Sequence, residues 1–225
     1  TILCKDLLNH CQTRFKVTML DHLNVEVKKP KRVVILGSNG FIGATISTRL
    51  ASEEIPVLGL GSKSLNLLNP NAGLELSKCL NHDDTLIFVS AKAPCKNLEM
   101  LIENTQMAKN VCDALHLTPV SHVIYISSDA VYGDLDRPIT ESSPVSPSSI
   151  HGVMHLTREI ALRQAYVGPL AIVRPTLVYG LNDPHNGYGP NLFRRLAVEG
   201  KEIVLFGNGE ELRDHVDVED VAELV

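Results

Sequence analysis

The sequence predicts an α/β chain built as a doubly wound parallel sheet with helices on both faces. Three observations predict it. Short aliphatic and β-branched runs alternate with amphipathic stretches along the chain. The first run, Val33-Val34-Ile35-Leu36, leads directly into a glycine-rich loop. The composition, 44% hydrophobic and 21% charged in 225 residues, is that of a globular chain and excludes a disordered one. A strand buried on both faces has no polar positions to alternate, so unbroken apolar strands between amphipathic helices imply a parallel sheet covered on both sides.

The elements follow in order. Residues 1–31 are expected to be an N-terminal lead-in to the first strand, and they show no signal-peptide pattern. Within it, Cys4 to Leu23 mixes apolar residues with Lys, Asp and His and fits either a short helix or a strand. The Lys28-Lys29-Pro30-Lys31-Arg32 run reads as a solvated approach to the first strand. Strands are expected at 33–36, 57–60, 86–89, 123–126 and 171–173. Helices are expected at 44–53, where Ile42, Ile46 and Leu50 share a face, at 98–115, where Leu101, Thr105, Ala108, Cys112 and Leu115 recur at three- and four-residue steps, and at 154–166. A further helix carries Asn191, Phe193 and Arg194, and another begins near Val218. Residues 32–180 form the expected sheet domain, and residues 181–225 the start of a smaller, incomplete lobe.

Charge and cysteines narrow the classes. The formal charge of −5 argues against a nucleic-acid binder that relies on a basic face. No apolar run approaches the roughly 20 residues of a membrane helix. Five cysteines without Cys-x-x-Cys spacing argue against a zinc knuckle or a disulfide framework and favour a reducing, cytoplasmic setting.

Gly37, Gly40 and Gly43 form Gly-x-x-Gly-x-x-Gly between the first strand and the first helix. Glycines there permit the tight turn, let the backbone approach a diphosphate, and let the helix pack on the strand. The helix N-terminus adds free N–H groups and a partial positive charge. Gly37, Asn39, Gly40, Phe41, Ile42 and Gly43 are therefore the candidate diphosphate cradle of a dinucleotide site.

Several blocks in order resemble the extended short-chain dehydrogenase/reductase family, the nucleotide-sugar epimerases, dehydratases and reductases. Val33 to Gly43 resembles its opening. Tyr125-Ile126-Ser127-Ser128-Asp129-Ala130-Val131-Tyr132-Gly133 resembles its Ser-Ser-x-x-Val-Tyr-Gly segment, and Val173-Arg174-Pro175-Thr176-Leu177-Val178-Tyr179-Gly180 its Arg-Pro-x-x-Val-Tyr-Gly segment. Gly207-Asn208-Gly209-Glu210 with Arg213 to Ala222 resembles its late substrate-binding stretch, and Pro147 to Glu159 its catalytic helix. The resemblance spans residues 33–225. It implies a Rossmann-type sheet with a substrate lobe, a nicotinamide cofactor, a nucleotide-sugar substrate and compatibility with a homodimer. By position, it implies that Ser128 hydrogen-bonds the reacting sugar oxygen and that Arg213 pairs with the substrate diphosphate. Asn191 lies in the substrate region, and Asn104 beneath the site has a structural or catalytic role.

The family's Tyr-x-x-x-Lys pair is absent. Pro147, Gly152 and Glu159 fix the register, so His151 stands at the tyrosine position and His155 at the lysine position. A tyrosine, with a pKa of about 10, needs roughly 4 kcal/mol of help to act as a base near neutrality, whereas histidine starts at about 6.5. Three readings of the pair stay open: an enzyme with His151 as acid/base and His155 at the ribose, a catalytically degenerate dinucleotide sensor or scaffold, and a metal site formed by His151, His155 and Glu159 at four-residue steps.

The end of the second strand selects the cofactor. An Asp or Glu there hydrogen-bonds the ribose 2′-hydroxyl of NAD. Leu58-Gly59-Leu60-Gly61-Ser62-Lys63 has no carboxylate, and Ser62 with Lys63 suits a 2′-phosphate, so NADP is expected ahead of NAD. The resemblance places Asn66 and Leu67 on the adenine side, and Ser90, Ala91 and Lys92 on the nicotinamide side.

Overall fold

The computed structural model describes residues 28–133, 138–187, 189–205, 207–208 and 212–225. The expectation for Cys4 to Leu23 lies outside these residues. Five strands, β1 (Val33–Leu36), β2 (Val57–Leu60), β3 (Thr85–Phe88), β4 (His122–Ile126) and β5 (Leu170–Val173), form one sheet in the order β2-β1-β3-β4-β5. Every pairing is parallel. Leu36 pairs with Leu60 on one side and Phe88 on the other, so β1, β2 and β3 end level and their following loops emerge side by side.

Alternate residues of the strands feed two cores, as the two-residue period of a strand requires. Val34, Leu36, Leu86, Phe88, Val123 and Tyr125 pack against one face, covered by α2 (Ala72–Cys79), α3 (Leu98–Leu117) and α4 (Ile150–Ala165). Val33, Ile35, Ile87, Ile124 and Ile126 pack against the other with Ile46 of α1 (Phe41–Ser52) and Ala222 of α6 (Val218–Leu224). Both faces are apolar, which is why the strands read as unbroken hydrophobic runs. A separate parallel pair, β6 (Leu177–Tyr179) and β7 (His215–Asp217), lies beyond β5 in the chain, with α5 (Pro190–Val198) between its strands in sequence.

Several elements differ from the sequence reading. Helix α4 starts at Ile150 rather than 154, because the Ser149 side chain caps it by accepting the Gly152 N–H at 3.1 Å. Helix α1 starts at Phe41 rather than 44, directly after Gly40. Helix α2 and strands β6 and β7 were not expected; α2 is eight residues long, and the two strands exist only through pairing across some thirty-five residues of chain. Helix α6, at the end of the expected second lobe, packs on α1 and buries Ala222 in the sheet domain's own core. In the basic lead-in, Lys31 pairs with Asp83 at 2.9 Å and Arg32 with the buried Asp84 at 2.6 Å, so two of its cations fasten the start of β1 to the start of β3.

A buried ion pair ties α4 to the sheet. Glu159 is sealed from solvent and accepts from Arg174 Nε at 2.9 Å and Nη2 at 2.6 Å, and from Ser127 Oγ at 2.6 Å. Arg174 also donates to the Tyr132 hydroxyl at 2.7 Å, and these partners raise its pKa above the usual arginine value. The pair joins the middle of α4 to the ends of β4 and β5. Replacing Glu159 by Gln leaves a largely buried guanidinium without its counter-charge, and we expect a loss of about 3–5 kcal/mol of stability. Urea unfolding monitored by circular dichroism measures it; a loss below about 1 kcal/mol would show that the pair is not what anchors the helix.

Candidate active site

The site is built at the carboxyl edge of the sheet. Strand order reverses between β1 and β3, and loops diverging there leave a crevice in which open α/β sheets bind ligands. Gly37 begins the first loop with φ 92°, and a Cβ on it would lie 2.8 Å from the Ser90 main-chain nitrogen. The loops after β1 and β3 thus touch backbone to backbone, which only glycine permits. The Gly37 carbonyl accepts the Gly40 N–H at 3.0 Å, and a Cβ on Gly43 would run into the same carbonyl. The first turn of α1 carries no acidic residue, and its N–H groups open at the crevice. Asn39 packs over Gly61 at the end of β2, where a Cβ would meet its side-chain nitrogen at 2.5 Å.

The residues expected beside a dinucleotide fall around this seat. Ser62, Lys63 and Asn66 are exposed after β2, and Asn66 Oδ1 accepts the Leu68 N–H at 3.1 Å. Leu67 has its side chain in the core and its carbonyl on Asn110 Nδ2 at 2.8 Å, so its main chain is what remains for a ligand. Ser90 and Ala91 are half-buried beyond β3, and Lys92 is exposed and paired with Glu103. Asn104 is fully buried: its amide accepts the Lys92 N–H at 2.9 Å and donates to the Lys92 and Met100 carbonyls at 3.0 and 2.8 Å. These bonds fasten the loop after β3 to α3.

The second half of the site lies where β4 ends and α4 begins. Ser128 caps the turn Asp129–Val131, accepting the Ala130 N–H at 3.2 Å and donating to Asp129 Oδ1 at 3.1 Å. Gly152 lies against the Ala130 carbonyl with no room for a Cβ, which sets the first turn of α4 directly on that turn. His151 is half-buried, with its ring centroid 4.7 Å from that of His155, edge to face. The two share a helical face, as their spacing requires. His151 Nδ1 accepts the Cys95 main-chain N–H at 3.2 Å, and His155 Nδ1 bonds the Tyr125 hydroxyl at 2.8 Å.

Burial governs the electrostatics. Desolvation raises the Asp129 carboxyl above its usual range, opposed by the Ser128 hydroxyl. It lowers His151, with the Asp129 charge pulling the other way. It brings His155 down to about 3, aided by His151 and Arg158. Both histidines are therefore neutral at pH 7. The neutral His151 carries its proton on Nε2, since a main-chain N–H occupies Nδ1.

Of the three side chains a metal site at this spacing would use, Glu159 is committed elsewhere and His155 has one ring nitrogen taken. Glu159 is held by Arg174 and Ser127, and His155 Nδ1 by Tyr125. Among the described residues no three His, Cys, Asp or Glu side chains converge as a metal-binding set. Asn191 is buried on α5 and donates to Asp183 at 2.8 Å. Arg213 is exposed just before β7, and Gly209 and Glu210 lie outside the described residues. Sequence reasoning did not single out Asp129, Cys95, Tyr125 or Arg158. Asp129 sits inside a quoted motif and was legible there as a titratable group beside Ser128. The other three act through contacts across 30 to 70 residues of chain, which no spacing reveals.

Comparison with known proteins places this geometry. The model of the NAD-dependent epimerase/dehydratase family matches residues 33–225. The chain is 27% identical over 222 residues to a UDP-glucose 4-epimerase of Mycolicibacterium smegmatis, covering 85% of this chain and 71% of that protein. It is 26% identical over 230 residues to a trifunctional UDP-glucose 4,6-dehydratase, epimerase and reductase of Arabidopsis thaliana, covering 87% of this chain and 34% of that one. Among solved structures, a UDP-N-acetylglucosamine 4-epimerase from Methanobrevibacter ruminantium, in complex with UDP-N-acetylmuramic acid, aligns with TM-score 0.73 at 25% identity over 87% of this chain and 72% of that one. The fold of the Thermus thermophilus UDP-glucose 4-epimerase, solved with NAD, aligns with TM-score 0.73 at 23% identity over 85% of this chain and 72% of that one. A family model matched from the first strand to the last described residue makes the membership plain: the chain belongs to the NAD-dependent epimerase/dehydratase family.

Proposed function

We propose that this chain carries the dinucleotide-binding part of an NAD(P)-dependent enzyme that acts on a nucleotide sugar by hydride transfer. One observation carries the reading. The anion seat at the start of α1 and the group Ser128, Asp129, His151 and His155 open from the same edge of one sheet. The relatives' names, UDP-sugar epimerases and dehydratases, support the substrate class. The residues fit a dinucleotide, because glycines at 37 and 43 let the loop close tightly on the Ser90 backbone and on its own Gly37 carbonyl, and no acid opposes an anion at the first turn of α1.

When bound, the nicotinamide takes up or returns the hydride. The main chain at Phe41, Ile42 and Gly43 holds the diphosphate. Ser62, Lys63, Asn66 and the Leu67 main chain serve the adenosine half, and Ser90, Ala91, Lys92 and His155 the nicotinamide half. Ser128 hydrogen-bonds the sugar oxygen, and Arg213 and Asn191 serve the rest of the substrate. His151 exchanges the hydroxyl proton through Nε2, with the Asp129 carboxylate beside it supporting the charged ring. Both the charged ring and the ring ready to accept at Nε2 carry a proton on Nδ1, so His151 gives up the Cys95 N–H when it works. At 3.2 Å that bond is long and weak enough to yield.

That contact also favours a second reading, a member that binds its ligands without turning them over. Two measurements decide. If Ser62 and Lys63 meet a 2′-phosphate, Lys63→Ala weakens NADP by about 1–2 kcal/mol and leaves NAD nearly unchanged, read by fluorescence titration of each dinucleotide. Equal effects on both remove the preference. In a screen of nucleotide sugars followed at the nicotinamide absorbance, His151→Ala costs at least about a hundredfold in turnover and leaves dinucleotide affinity intact. An inactive wild type that gains activity as the His151→Tyr, His155→Lys double variant identifies the binding-only member instead.

A further inference from the structure

Arg158 has no place in the site described so far, and its surroundings are unusual. It is fully buried, and among the described residues no carboxylate hydrogen-bonds it. The guanidinium carbon lies 4.2 Å from the Phe88 ring centroid and 5.4 Å from that of Tyr125. Nη2 donates to the Ser90 carbonyl at 2.7 Å, Nη1 lies 3.9 Å from Met154 Sδ, and Nε has no partner. A sealed cation held by aromatic faces and one carbonyl is costly to keep. Its position explains why the fold keeps it: it stands one turn beyond His155, against the tyrosine that bonds that histidine.

The hydrogen-bond inventory then fixes a proton. Tyr125 is fully buried, and the acceptor its hydroxyl has among the described residues is His155 Nδ1, at 2.8 Å. Arg158 beside it offers only donors. A proton on His155 Nδ1 would leave the phenolic proton with no acceptor in the core. The hydroxyl therefore donates, and Nδ1 accepts.

We propose that Tyr125 and Arg158 are positioning residues for His155, together holding it as a neutral imidazole with its single proton on Nε2, so that it offers the ligand one N–H donor and no base. Arg158 supplies, from inside the core, a fixed positive charge behind this position and leaves the imidazole itself uncharged. The other titratable or charged groups around His155 agree with that state. His151 on the same face is neutral, Glu159 one turn on is neutralised by Arg174, Asp129 lies across the turn nearer His151, and Cys112 on α3 is a thiol pushed up to about 11 by burial. Burial and Arg158 both oppose a second proton on His155. The use of that N–H on a ribose hydroxyl rests on the proposed function; the tautomer does not. Proton exchange with substrate is left to His151 alone.

Nitrogen-15 NMR of the histidine-labelled chain tests this without turnover, with His155 assigned by its loss in His155→Gln. In the wild type we expect Nδ1 to be of the unprotonated type and Nε2 of the protonated type, unchanged from pH 8 to pH 5. Tyr125→Phe removes the donor and keeps the ring, so the two nitrogens should move toward averaged shifts. Arg158→Met keeps the tautomer but raises the protonation midpoint of His155 by about one pH unit or more. If Arg158→Met does not fold, Arg158→Lys restores the charge and should restore the wild-type midpoint. A protonated Nδ1 in the wild type, titration of His155 near pH 6.5, or a Tyr125→Phe spectrum like the wild type each overturns the proposal. Absence of catalysis would overturn the proposed function and leave this result standing.

Discussion

The pairing of Glu159 with Arg174 is the constraint on which the rest of the site depends. Helix α4 lies over the sheet with Met154, His155, Arg158, Glu159 and Leu162 turned inward, and three of those five are polar or charged. An apolar stripe alone would let a helix slide or rotate on a flat sheet at little cost. A bidentate carboxylate–guanidinium contact, with Ser127 Oγ on the same carboxylate, admits one placement. Once Glu159 is fixed, the helical period sets His155 one turn back over Tyr125 and His151 another turn back over the end of β4. Whatever chemistry the chain performs inherits its geometry from that ion pair.

A second constraint operates at the other half of the edge. The loops after β1 and β3 approach so closely at Gly37 and Ser90 that a single methyl group would force them apart. Arg158 reaches the carbonyl of the same residue, Ser90, from α4. The anion seat and the histidine pair are thereby parts of one connected structure, linked through Ser90 to α4. The crevice is preorganised by backbone contact and buried hydrogen bonds rather than by flexible side chains.

The histidine pair owes its electrostatics to burial and to charges placed around it. Histidine needs no neighbouring ammonium to reach a neutral, reactive form near pH 7, and a lysine one turn away would only suppress its protonation. Here the charge sits deeper, on Arg158, where it cannot touch a ligand. Burial then drives His155 far below its ordinary range, while the Asp129 charge partly offsets the downward shift of His151, so the two histidines, both neutral, stand in different fields. Asp129, raised by its own burial, is the carboxyl group that stands beside the more exposed of the two.

The sequence by itself determined the strands of the main sheet, the glycine cradle, the shared face of His151 and His155, and Ser128 at a strand end. These are local properties: an unbroken apolar run marks a strand buried twice over, and glycine at a strand-to-helix turn marks a close backbone approach. It also placed the start of α6 near Val218. Only the tertiary structure decided that α6 covers the sheet domain, that Arg32 and Lys31 belong to Asp84 and Asp83, and that β6 and β7 exist. It alone decided that Glu159 belongs to Arg174, that Cys95 faces His151, and that Tyr125 and Arg158 stand behind His155. The physical reason is common to all of these. Each is a pairing between residues far apart in the chain, set by burial and hydrogen-bond satisfaction in the folded molecule, and neither residue type nor spacing encodes which partner a buried charge will meet.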